Sequence, residues 1–146
     1  CFEPDRKSIP VCRKNLSSLI KAGKLTFIEK GAWSRNERLK FNACGTGGSS
    51  ISDQGDDEIE VVALDEVLSE KRITYIKMDV EGAEAEVIKG AKKIISEQKP
   101  KMAVCIYHKF EDVLQLPALL LEYNPDYKFY VRHYTAANVE TVLYAI

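Results

Sequence analysis

Tyr75-Ile76-Lys77-Met78-Asp79-Val80-Glu81-Gly82-Ala83-Glu84 decides the fold. Ile73 to Asp79 reads as a strand that ends in a carboxylate. Gly82 then lets the backbone turn sharply or come close to a ligand. From about Ala83 to Glu97, the residues Val87, Ile88, Ala91, Ile94 and Ile95 form one apolar stripe at helical spacing. Pro100 stops that helix. Met102 to Tyr107 is almost wholly apolar, as a strand buried on both faces should be. Strand, helix and strand in succession build a parallel sheet covered by helices. Strands 73–79 and 102–107 are therefore expected to be parallel neighbours, with 73–79 inside the sheet and not at its edge.

The rest of the chain extends this pattern. Ile9, Cys12, Leu16, Leu19 and Ile20 mark one helix, with Ser8 as its cap, Pro10 in its first turn and Gly23 just past its end. Leu25 to Glu29 reads as a strand, followed by a break at Gly31-Ala32-Trp33-Ser34. Leu39–Ala43 and Ile59–Ala63 read as strands around a Gly/Ser/Asp-rich loop, Cys44 to Asp57. Leu64 to Glu70 is a short helix opened by Asp65. Glu111 to Tyr123 is helical in pattern, but Pro117 is expected to kink or split it. Tyr127–His133 and Thr141–Ile146 are expected to pair antiparallel through the turn at 134–140. The fold class is α/β, in a single domain over 1–146.

Composition excludes several classes. The net charge of -1 gives no basic surface for nucleic acid. No run approaches the roughly 18 apolar residues of a membrane span. The opening residues do not resemble a secretory signal. Cys1, Cys12, Cys44 and Cys105 form no Cys-x-x-Cys pair and are read as reduced thiols of a cytoplasmic protein. With only His108 and His133 to join them, no metal site is expected.

Four places can carry chemistry. Glu3, in Phe2-Glu3-Pro4-Asp5, looks like a strand-end carboxylate able to accept both hydroxyls of a ribose; the plain alternative is a solvated acid. Asp79 ends a buried strand, where open α/β sheets bind ligands; it can equally cap the following helix. Glu81 and Glu84 suit the N-terminal end of that helix. His108 follows the next strand and can act as a base or be structural. His133 is expected to be structural. Trp33 can wall an adenine or pack in the core. Gly45-Thr46-Gly47-Gly48 lacks the lysine and helix of a phosphate loop and reads as a flexible turn.

These residues resemble the FkbM-type methyltransferases, class I enzymes that use S-adenosyl-L-methionine. The resemblance rests on Phe2-Glu3-Pro4-Asp5, Ser50-Ile51-Ser52 with Gly55, Ala63-Leu64-Asp65-Glu66, and above all Tyr75 to Glu84 with Lys89-Gly90-Ala91. It implies a Rossmann-like sheet with an antiparallel C-terminal strand pair. It also implies that Glu3, Ala32, Trp33, Ser34 and Asp79 hold the cofactor. The reaction implied is methyl transfer to a hydroxyl oxygen of a sugar or other small metabolite; Asp79 and His108 are the candidate catalytic residues, as general bases for the acceptor proton. The family's first strand and its Asp-x-Gly-Ala-Asn-x-Gly loop precede Phe-Glu-Pro, so the sequence is expected to be a fragment lacking both. Two rival readings are a non-catalytic interaction module and another nucleotide-cofactor enzyme, such as a dehydrogenase.

Overall fold

The computed structural model describes residues 1–137 and 139–146. Residue 138, in the expected turn at 134–140, lies outside them. Among the described residues, eight strands form two four-stranded sheets. The first contains β1 (Gly31–Trp33), β2 (Glu37–Asn42), β3 (Ser50–Ile51) and β4 (Asp57–Ala63) in the order β1-β4-β2-β3. β1 runs parallel to β4, and β2 is antiparallel to both β3 and β4. The second sheet contains β5 (Tyr75–Met78), β6 (Lys101–Cys105), β7 (Phe129–His133) and β8 (Thr141–Ala145) in the order β5-β6-β8-β7.

β5 and β6 are parallel neighbours, as the alternation of strand and helix required. β7 and β8 pair antiparallel, with Phe129 opposite Ala145 and His133 opposite Thr141. The expectation that 73–79 lies inside one continuous sheet is not met. β5 stands at the edge of the second sheet. β1 and β4 pair with each other and with the 37–51 hairpin, so no described strand joins them to β5. The segment expected as strand Leu25–Glu29 contributes a single parallel bridge, Ile28 to Phe2. The supposed break after it is β1 itself, because Gly31 to Trp33 find partners on Val61 to Ala63.

Three helices depart from the sequence reading. The first is interrupted at Leu16, giving α1 (Ile9–Asn15) and α2 (Ser17–Lys21). Ser8 makes no side-chain cap bond; Asp5 does that work, its carbonyl accepting the amides of Ser8 and Ile9. After α3 (Leu64–Val67), the long helix expected at 83–97 is two, α4 (Glu84–Lys89) and α5 (Lys92–Gln98). Asp65 explains the second start. Its carboxylate accepts the amides of Lys93 and Ile94 at 2.8 and 2.9 Å, capping α5 from another element. Pro117 does not split α6 (Asp112–Tyr123), which runs as one element through it.

The main core lies between α4, α5, α6 and one face of the second sheet. Val87, Ile88, Ile94, Ile95, Met102, Val104, Leu116, Leu120 and Leu143 are among its fully buried members. A smaller core under the first sheet gathers Phe41, Ala43, Ile59 and Val61.

Candidate active site

A cleft of about 180 Å³ opens between the two sheets at the carboxyl end of β5. Phe2, Glu3, Ala32, Asp79 and Val80 line one part of it, and Thr46, Gly47, Ser49 and Ser50 close another. Whole-ligand pockets run to about 300–1,000 Å³. This one is large enough for only part of a nucleoside cofactor.

Glu3 reaches the cleft because its amide donates to Ile28 O at 3.0 Å, continuing the Phe2–Ile28 bridge. Its Oε1 accepts the Asp5 amide at 2.8 Å. A carboxylate held by one oxygen keeps acceptor capacity for a ligand on the other.

Asp5 shapes the wall opposite. It is 1% exposed. Its Oδ1 accepts the Lys7 amide, and its Oδ2 accepts the Gly45 amide and the Ser49 hydroxyl. The glycine-rich turn is therefore pinned against the cleft and is not a free tip. Burial pushes the Asp5 carboxyl up, but bonds from Ser49, Lys7, Gly45 and Ser8 outweigh it and hold the group below its usual range. A depressed folded value means stability that is full above the unfolded value, about 3.9, and lost as pH falls through the folded one. Asp5→Asn should thus cost on the order of 1.5–3 kcal/mol at pH 7. Thermal melts at pH 7 and pH 3 should show the gap to wild type narrowing in acid; a constant gap would assign the loss to shape alone.

Beside the cleft, Asp79, Glu81, Glu84 and His108 converge. Asp79 Oδ1 is 3.4 Å from His108 Nε2, and Glu81 Oε2 is 3.6 Å from the same nitrogen. Glu84 Oε1 lies 2.9 Å from His108 Nδ1, although off the N–H line, and accepts the Val80 amide at 3.0 Å. Tyr107 Oη donates to Asp79 Oδ1 at 3.2 Å, and Lys77 Nζ lies 3.3 Å from Oδ2. Burial raises the Asp79 carboxyl, but hydrogen bonds from Cys105, Lys77 and Tyr107 and the Lys77 charge hold it below its usual range. Burial first, and the Asp79 charge second, push the Cys105 thiol up to about 12 and the Tyr107 phenol upward. Both stay protonated at neutral pH and serve as donors.

The structure brings Glu3, Ala32 and Asp79 to one cleft and His108 to its side. It does not bring Trp33 or Ser34 there. Trp33 packs against the small core, and Ser34 is not among the residues lining the cleft. His133 contacts Thr141 Oγ1 across the β7–β8 pair. The sequence reading missed Glu84 as a partner of His108. It is 0% exposed, not a solvated helix-end charge. Its reach back to the amide four residues earlier resembles the glutamate half of a capping box, a signal the sequence did carry.

Parallel β5 and β6, a carboxylate at the end of β5 and a cleft beyond it place this cleft where open α/β sheets bind ligands. The chain belongs to the methyltransferase FkbM domain family, whose pattern matches residues 2–129. The crystal structure of methyltransferase FkbM from Methylobacillus flagellatus superposes with a TM-score of 0.83 at 32% identity, over 99% of this chain and 35% of that one. The 2-O-methyltransferase NoeI of Sinorhizobium fredii is 26% identical over 77% of this chain and 53% of that protein. The chain thus spans about half the length of the curated relative it matches and about a third of the solved one.

Proposed function

We propose that the protein transfers a methyl group from S-adenosyl-L-methionine to a hydroxyl oxygen of a small acceptor, with sugars the favoured class. The observation that carries this reading is the placement of Glu3 and Asp79 on one cleft with His108 at its side. Family membership supports methyl transfer over a dinucleotide oxidoreductase or an interaction module. The oxygen acceptor draws support from the name of the NoeI relative. A Rossmann-like frame is part of the same reading, supported by the parallel β5–β6 pair.

The residues fit the cofactor. Glu3 offers a carboxylate with spare acceptor capacity for a vicinal diol, and Ala32 offers a small apolar wall. Bound there, the cofactor would supply a sulfonium methyl whose C–S bond breaks as the new C–O bond forms. The protein's share is alignment of the acceptor oxygen and an exit for its proton. Asp79 and His108 are the proposed catalytic pair. Asp79 receives the acceptor hydroxyl, and His108 behind it helps lower the cost of its deprotonation. The reduced thiols Cys1 and Cys44 are exposed, which suits a reducing cytoplasm. No helix among the described residues is long and apolar enough to cross a membrane.

Calorimetry on Glu3→Gln, in a version of the protein extended to include the expected first strand and glycine loop, tests the cofactor side. Loss of charge-assisted bonds worth about 1.5–3 kcal/mol weakens S-adenosyl-L-methionine binding by roughly tenfold to more than a hundredfold. Unchanged affinity would remove Glu3 from the ribose.

A further inference from the structure

We propose that Asp79, Glu81 and His108 hold a divalent metal cation beside the cleft. The inference rests on the reading of this site as the place where the acceptor hydroxyl binds. Oxygen atoms of the two carboxylates and His108 Nε2 all lie within 4.8 Å of one another. The 3.4 and 3.6 Å separations from Nε2 are those of ligands about 2.1–2.2 Å from a common ion at near-tetrahedral angles.

A second observation is independent of the acid cluster. The His108 side chain is 8% exposed, and its Nε2 makes no aligned hydrogen bond. It lies 3.4 and 3.6 Å from one oxygen of each of two carboxylates without an aligned hydrogen bond to either. A cation between them would bind the two carboxylates and the ring nitrogen together. Nδ1 faces the buried carboxylate of Glu84, the usual outer partner of a ligating histidine. Val80 N–H fixes that carboxylate in turn.

Three donors leave coordination positions open, as catalytic sites do. An acceptor hydroxyl entering one of them becomes more acidic, and its proton leaves to water as the oxygen takes the methyl group. In the loaded site His108 is a ligand, and the basicity of its ring is not what carries the proton step. Two carboxylates and one imidazole suit Mn²⁺ or Zn²⁺ better than Ca²⁺. Thiolates are poor ligands for Mn²⁺, so the exposed cysteines do not compete for it.

The test is Mn²⁺ titration of the chain, followed by loss of the free-ion electron paramagnetic resonance signal, with thermal melts on the same samples. One Mn²⁺ per chain is expected, together with a rise in melting temperature. Glu81→Gln and His108→Ala should each raise the dissociation constant at least tenfold and abolish the rise. Glu58→Gln, a surface control, should change neither. Absence of binding, or binding that survives in both site variants, overturns the cation. Calorimetry with S-adenosyl-L-methionine, on a version of the protein extended to include the expected first strand and glycine loop, separates the two claims. Cofactor binding without Mn²⁺ binding overturns the cation and leaves the methyltransferase reading; Mn²⁺ binding without cofactor binding does the reverse.

Discussion

Gly90→Ala is expected to cost more than any other single-methyl addition along the α4–α5 connection, on the order of 3 kcal/mol or more of stability. Gly90 has φ -74° and ψ -5°, a conformation every residue adopts. In such a position alanine normally stabilises by about 0.4–1 kcal/mol, because it restricts the unfolded chain. Here a Cβ would lie 1.9 Å from Trp33 O and 2.9 Å from its carbonyl carbon. Those atoms are backbone of β1, tied to β4, so they cannot swing aside as a side-chain tip could. The Gly90 carbonyl also accepts the Asp65 amide at 2.8 Å, which fixes it from the other side. The collision therefore pushes α4 off β1 or breaks the α3 contact. Denaturant unfolding measures it. A variant as stable as wild type would show that β1 and α4 are not held this close.

The Lys89-Gly90-Ala91 run was visible in the sequence, but its reason was not. Spacing showed an apolar stripe through Val87, Ile88, Ala91, Ile94 and Ile95, and all five are buried. The same stripe hid the break at Gly90, because the burial period carries across both helices. Nothing local shows that Asp65, 28 residues before Lys93, supplies the cap that restarts the chain. Trp33 is a similar case. Its position after an apolar run suited a cofactor wall, and only the pairing of β1 with β4 turned it toward Phe41 and Ile59. Asp79 and His108 were legible because strand ends are set by short-range pattern, and adjacent parallel strands bring their ends together. Glu84 was not, because its burial depends on α6 covering α4 and on His108 arriving from another strand.

Two substitutions should separate the roles at those strand ends. Asp79 lines the cleft, whereas His108 stands behind it, 3.4 Å from Asp79 Oδ1. His108→Ala should therefore leave affinity for S-adenosyl-L-methionine nearly unchanged while turnover falls by about a hundredfold or more, because the variant loses the group that, directly or through a bound cation, eases removal of the acceptor proton. Asp79→Asn should reduce both. It keeps the shape of the side chain but removes the charge that Lys77 and Tyr107 now face. The loss in His108→Ala should appear in kcat with little change in KM for the cofactor. The competing explanation is that His108 only packs against Tyr107, whose ring centroid is 4.1 Å away. In that case the variant would lose thermal stability and yet turn over normally per folded molecule. Cofactor affinity, melting temperature and methyl transfer measured on one preparation distinguish the outcomes. Normal turnover per folded His108→Ala molecule would remove the imidazole from the chemistry and leave Asp79 as the single side chain of the pair acting on the acceptor.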